Sequence, residues 1–131
     1  MPTTRKGTIN DDFVLNIDLA STILGAARIP QQKVMQGRDM ADLYVHEKAA
    51  DWRQEFFYEH PVHLHKSVIP ASTALVRKDF KYMTWPDYGV EQLFQLKDDP
   101  LELTDLIGSK AHGGIVDEMR QRHNELKDQA L

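Results

Sequence analysis

The sequence predicts an α+β fold: a small antiparallel sheet of three or four strands packed by one long C-terminal helix, with helical material before it. Strand-like runs follow one another from residue 54 to residue 96 with no helix between them, which argues against a parallel sheet. After Gly113-Gly114, the residues Ile115, Met119, His123 and Leu126 recur at helical spacing among charges, so the last segment is an amphipathic helix able to cover one face of that sheet. A chain of 131 residues has room for one core of this kind.

Taken in order, residues 1–12 are polar and predict a loose arm. In Asp18-Leu-Ala-Ser-Thr-Ile-Leu-Gly-Ala-Ala27, the residues Leu19, Ile23, Leu24 and Ala27 fall near helical spacing. Asp18 reads as the N-cap, and Pro30 enforces a stop. A loop runs through Gly37, and Asp39–His46 reads as a short helix with Met40, Leu43 and Tyr44 on one side. Gln54–His60 is an aromatic strand closed by Pro61, followed by a His-rich loop to residue 70. Ser72–Arg77 and Phe80–Trp85, separated by Lys78-Asp79, have hairpin spacing, and Phe80, Tyr82 and Thr84 alternate with Lys81, Met83 and Trp85. Pro86–Gly89 is a turn, and Glu91–Leu96 is a strand ended by Lys97-Asp-Asp-Pro100.

Composition removes several function classes. Net charge is −4 and basic residues never cluster beyond pairs, which argues against a nucleic-acid partner. No apolar run approaches the roughly 18 residues that cross a bilayer, so no membrane span is predicted. The first seven residues carry no apolar stretch after Arg5-Lys6, so no signal peptide is predicted. With no cysteine there is no disulfide, thiolate metal site or cysteine nucleophile.

Four blocks in order give the chain a family likeness. Asn16-Ile-Asp-Leu-Ala-Ser-Thr-Ile-Leu24, then Ile29-Pro30 and Met35-Gln-Gly-Arg38, resembles the "NIDLAPTIL…MQGRSL" pattern of sulfatases. Trp52-Arg53 with Phe57-Tyr58-Glu59-His60 resembles the family's "WR…YYE" strand. Ala74–Arg77 with Phe80-Lys81-Tyr82 resembles its "A(I/V)R…YKY" hairpin. Gln92–Leu96 with Asp99-Pro100, Glu102 and Asp105-Leu106 resembles "ELYDL…DPxExxNL". Ser21 departs from the family's usual Pro, and Phe94-Gln95 from its Tyr-Asp. The resemblance implies that residues 1–48 are the end of the large sulfatase domain and residues 49–131 the C-terminal subdomain. It implies for the parent enzyme a calcium ion and a formylglycine nucleophile, sulfated carbohydrate as the substrate class, and frequent export.

The family's formylglycine comes from Cys or Ser in C/S-x-P-x-R. This sequence has no Cys, and Arg28, Glu59, Val68, Thr84 and Asp98 stand two positions before its internal prolines, so no Ser fits. Sulfate ester hydrolysis also needs a cation and groups that neutralise charge on the sulfate oxygens. A hard cation takes about six or more oxygen ligands from separated segments, whereas the carboxylates here sit mostly in helices or turns. The expectation is a sulfatase C-terminal fragment inactive by itself, with no cofactor held by this chain. The competing readings are a non-catalytic module that binds a glycan or a protein, and a small His-based metalloprotein.

The candidate substrate contacts are Glu59, His60, His65, Lys66 and Arg77. His60, His63 and His65 could bind a transition metal, but no fixed-spacing motif such as H-E-x-x-H accompanies them. From the resemblance, His60, His65 and Lys66 border the substrate cleft and meet hydroxyl or anionic groups of a sulfated sugar. Glu59 at a strand end could accept from a hydroxyl; Arg77 could reach the cleft or form a cross-strand salt bridge. Trp85 and Tyr88 could stack on a sugar or pack over the Pro86 turn. Asp99-Pro100 with Glu102 reads as turn formation and helix capping. If residues 1–48 belong against a larger domain, then Phe13, Leu15, Ile17 and Leu19 are exposed and favour self-association.

Overall fold

The computed structural model describes residues 7, 9–45, 51–61, 65 and 67–130. The chain divides into two compact units, Met1–Gln54 and Glu55–Leu131. Most of the expected N-terminal arm, residues 1–6 and 8, lies outside the described residues.

In the first unit, helix α1 spans Asn16–Ala26 and helix α2 spans Ala41–Tyr44. Helix α1 begins before Asp18, so Asp18 is its third residue and not its N-cap. Its carboxylate still accepts the Leu15 N–H at 2.8 Å, which satisfies one of the helix's free amide donors from inside the first turn. At the other end, Arg28 turns left-handed at φ 58°, Arg28 N–H bonds Gly25 O at 3.0 Å, and Ile29 N–H bonds Leu24 O at 2.9 Å. These crossed bonds satisfy carbonyls the helix would otherwise leave open, and Pro30 then prevents continuation. Helix α2 is a single turn, shorter than the sequence predicts, with Ala41 N–H bonded to Asp39 Oδ1 at 2.9 Å; His46 lies outside the described residues.

The segment after Met35 crosses α1 backbone to backbone. A Cβ on Gly37 would lie 2.1 Å from Ile17 O and 2.7 Å from Ser21 Oγ, so only glycine fits there. Arg38 N–H bonds Asp18 Oδ1 at 2.8 Å and Met40 N–H bonds Thr22 Oγ1 at 3.0 Å, which fixes this crossing.

The second unit is a four-stranded antiparallel meander, β1 (Glu55–His60), β2 (Ser72–Arg77), β3 (Phe80–Trp85) and β4 (Val90–Gln95), in sequential order. In the register Tyr82 pairs with Leu75 on one side and Leu93 on the other. Those three side chains share a face, and helix α3 (Gly113–Ala130) places Val116 and Met119 on them to form the main core. Val116 is the buried residue at the start of that stripe, while Ile115 and Leu126 pack at its rim. The opposite face carries a second cluster of Ala74, Met83 and Phe94, flanked by Tyr58, Trp85 and Leu96. The run 80–85 is thus apolar on both faces, with alternate residues feeding different cores.

The turn at Pro86–Tyr88 is a short 3-10 helix closed by Gly89 at φ 61°, a conformation that favours glycine. Asp99 accepts the N–H groups of Leu103 and Thr104 at 3.1 and 2.8 Å. No helix begins after it until residue 110, so Asp99 closes a loop and does not cap a helix as the sequence predicts. The same loop covers the outer edge of β4, with Leu93 N–H bonded to Asp105 Oδ1 and Leu106 N–H to Leu93 O. An edge strand paired in this way is closed to further strand addition.

Candidate functional site

Glu59 and His60 are the last two residues of β1, both exposed, opposite Thr73 and Ser72 of β2. Consecutive strand residues point to opposite faces. Phe57 meets His123 of α3, so Glu59 shares the helix-covered side and His60 the other. His65 is exposed and its Nδ1 lies 2.8 Å from Ser67 Oγ and 3.3 Å from Ser67 N. His65 O accepts the Val68 and Ile69 N–H groups, so the loop turns back at this point. His63 and Lys66 lie outside the described residues.

Arg77 is at the other end of the hairpin. β2 runs from Ser72 opposite His60 to Arg77 opposite Glu55, which separates Arg77 from His60 by about 17 Å of strand. Arg77 donates to its cross-strand partner Glu55 at 2.9 Å and to Glu118 of α3. Arg122 adds a bond to Glu55 at 2.6 Å. Burial alone would raise the Glu55 carboxyl, but the hydrogen bonds from Arg122 and Arg77 outweigh it and hold it below the usual carboxylate range. Arg77 thus forms the cross-strand salt bridge, and it lies at the far end of the hairpin from Glu59 and His60. Trp85 donates its indole N–H to Gln92 at 2.8 Å and packs on the second core cluster, while Tyr88 is 57% exposed on the adjoining turn.

The strongest polar constellation is in the first unit, at a residue the sequence marks only as a cap. Asp18 is fully buried. Besides the Leu15 and Arg38 amides, it accepts both terminal nitrogens of Arg53, one of them at 2.7 Å. Burial would push this carboxyl up, but the Arg53 guanidinium and the two amides pull it down more strongly. Two guanidinium groups lie over the Trp52 ring, with Arg38 4.7 Å and Arg53 5.1 Å from its centre, and Trp52 gives its indole N–H to Phe13 O at 2.8 Å. The motif residues Asp18, Arg38, Trp52 and Arg53 are therefore one structural knot, which the Arg38 guanidinium extends to Asp51 at 3.1 Å. Ser21, in the position of the family's Pro, has a buried hydroxyl with no partner among the described residues.

A second knot lies under α3. His123 is 2% exposed, its Nε2 is 2.8 Å from Thr73 Oγ1, and Thr73 Oγ1 is 2.9 Å from Thr84 Oγ1. Phe57 and Tyr82 meet the imidazole edge-on, each with centroids 5.3 Å away. Burial pushes the His123 pKa down. Beside it the Tyr82 hydroxyl, pushed up to about 12 by burial and by its bond to Glu91, stays protonated. The sequence places His123 on the apolar stripe, and nothing local marks it as the polar member.

The described residues do not fit a calcium site. No three His, Asp or Glu side chains gather among them, and buried Asp18 and half-buried Glu55 are taken by arginines. No step of a reaction is therefore assigned to a metal held by this chain.

The chain spans about 23% of the length of the curated relatives it matches. Over 117 residues, 89% of the chain, it is 29% identical to an arylsulfatase of Clostridium perfringens. Over 95% of the chain it is 22% identical to an N-acetylglucosamine-6-O-sulfatase of Bacteroides thetaiotaomicron. Among solved structures, one in complex with its substrate D-glucosamine-2-N,6-O-disulfate superposes with a TM-score of 0.78 over 86% of the chain and 23% of its own, at 23% identity. A phosphonate monoester hydrolase of Silicibacter pomeroyi gives 0.82 over 99% of the chain and 28% of its own, at 20% identity. A fold common to proteins described by such different esters does not by itself choose the ester. Residues 1–129 match the family N-sulphoglucosamine sulphohydrolase, C-terminal, and the chain belongs to that family of sulfatase C-terminal regions.

Proposed function

We propose that this chain supplies the C-terminal region of a sulfuric ester hydrolase acting on sulfated carbohydrate, and that it does not turn over substrate by itself. In this reading residues 1–48 are the end of the large catalytic domain and residues 49–131 the C-terminal subdomain. One observation carries the proposal: nearly the whole chain matches a sulfatase C-terminal family while holding no Cys and no Ser in the nucleophile motif. The nucleophile and the calcium ion that the family implies are assigned to a region outside these 131 residues.

Within this chain, Glu59, His60, His65 and Lys66 are proposed to border the sugar. Glu59, His60 and His65 are exposed, and imidazole and carboxylate groups at a strand end can exchange hydrogen bonds with hydroxyl or sulfate oxygens. Arg77 is the weakest member of the set, since its guanidinium is committed to Glu55 and Glu118.

The test is an assay of the purified chain with 4-nitrophenyl sulfate and calcium. No turnover above buffer is expected, and calcium-dependent hydrolysis that survives repurification would overturn the proposal.

A further inference from the structure

A line of polar side chains crosses the second unit beneath helix α3. Thr73 of β2 pairs with Thr84 of β3, and Thr84 pairs with Glu91 of β4. Residues directly opposite in an antiparallel sheet share a face, so all three lie on the side that α3 covers. His123 meets this row with Nε2 2.8 Å from Thr73 Oγ1 and Nδ1 3.3 Å from Asn124 Oδ1. Thr73 Oγ1 is in turn 2.9 Å from Thr84 Oγ1. His123 and Thr73 are both buried, which closes this chain of bonds off from bulk solvent.

The atoms fix the direction of the chain. A neutral imidazole has one N–H, and the Asn124 carbonyl oxygen can only accept, so the proton sits on Nδ1. Nε2 then accepts the Thr73 hydroxyl, and the Thr73 oxygen accepts the Thr84 hydroxyl. A second proton must go on Nε2, which turns that acceptor into a donor. Each hydroxyl keeps its one proton and must turn: Nε2–H gives to Thr73, Thr73 gives to Thr84, and Thr84 needs a new acceptor. The Glu91 carboxylate is placed to receive it. It is the cross-strand neighbour of Thr84, both residues line one open cavity of about 430 Å³, and a carboxylate has about four acceptor positions.

We propose that His123, Thr73, Thr84 and Glu91 form a proton-sensing relay that reverses as a unit when the imidazole is protonated within the folded chain. Charged groups bear on it from each element packed there. Lys127 of α3 opposes the imidazolium and Glu91 of β4 favours it. Arg120 at 2.6 Å and the protonated Tyr82 hydroxyl already bond Glu91. Glu59 of β1, opposite Thr73, is exposed. Through two hydroxyls the buried positive charge is joined to a carboxylate, so α3 stays seated as His123 takes up its proton. The change is delivered to the cavity wall: with His123 neutral, Thr84 and Glu91 both present acceptors, and with His123 charged they turn to each other. This inference goes beyond the proposed function and holds whichever ester the parent enzyme cleaves.

The test is a titration of the nitrogen-15-labelled chain from about pH 7.5 to about pH 4, following the imidazole nitrogens by long-range proton–nitrogen correlation. The Nδ1–H tautomer is expected at His123 when neutral, with both nitrogens reaching imidazolium shifts on acidification while the other resonances stay native. Thr84→Val is expected to move the midpoint to lower pH by about half a unit or more, because the charged form loses one more bond than the neutral form. Thr84→Ser is expected to restore it. An Nε2–H tautomer at neutral pH, a midpoint that Thr84→Val leaves unmoved, or loss of the native spectrum before His123 titrates would each overturn the proposal. Should Thr84→Val fail to fold, the tautomer and titration of the unaltered chain still decide.

Discussion

Helices α1 and α3 solve the same problem in opposite ways. Helix α3 turns Val116 and Met119 onto the sheet, together with His123, and leaves charges outside. Helix α1 turns Asp18 and Ser21 inward and leaves Leu19 and Ile23 outside. Both sequences carry apolar residues at helical spacing, so periodicity identifies a stripe in each case. What covers the stripe is a separate question, and only α3 finds its cover among the described residues.

The largest expected effect falls on the inner face of α1. Asp18→Ala leaves the Arg53 guanidinium and two backbone amides without their acceptor, and breaking a buried pair from one side costs about 3–5 kcal/mol. Urea unfolding monitored by tryptophan fluorescence checks this through Trp52, which both Arg38 and Arg53 flank. A loss below about 1 kcal/mol would mean that α1 is held by something other than the Asp18 knot.

Next comes the inner face of α3. Met119 is fully buried, and Met119→Ala removes its side chain from the main core at a cost of about 2–5 kcal/mol. The same unfolding experiment reads it, with the second unit reported by circular dichroism. The comparison sharpens if the two losses are similar, since one is then polar in origin and the other apolar.

A smaller effect distinguishes the helices by pH. His123 has its pKa pushed down from the ordinary 6.5, so below that value the unfolded chain takes up a proton the folded chain refuses. Stability is therefore complete above about pH 6.5 and declines as pH falls toward the lowered folded value. The paired carboxylates Asp18, Glu55 and Glu91 are held below their ordinary range, so their share is lost only at more acid pH, as they protonate. Urea midpoints at pH 7 and pH 5 should differ for the unaltered chain and converge in His123→Gln. An equal pH response in that variant would move the effect to another group.

The strands were legible because their signals are local. Lys78-Asp79, Pro86 and Pro61 punctuate runs of aromatic and β-branched residues, and β2 and β3 fall at the predicted residues. The fold class and the four blocks that carry the family likeness were legible for the same reason. The knots were not. Asp18 reads as a cap because its partners Arg38 and Arg53 lie 20 and 35 residues away, a distance no helical or strand period spans. His123 reads as core because its polar partner Thr73 lies 50 residues off, on another strand. Asp99 reads as a helix cap because Asp-Pro signals a turn without specifying the element beyond it. Of the expected exposed residues, Ile17 and Leu19 are exposed, whereas Phe13 and Leu15 are half-buried, Phe13 giving its carbonyl to Trp52.

The inverted polarity of α1 against α3 is the claim on which the account depends, and one pair of thermal melts tests it. Leu19→Glu/Ile23→Glu is expected to melt within a degree or two of the unaltered chain, because exposed positions shift stability by about 0.5 kcal/mol or less. Val116→Glu/Met119→Glu is expected to abolish the cooperative transition, because it buries two unpaired charges in the main core. Loss of the transition in the α1 variant would contradict the account, since it would place that stripe inside the isolated chain.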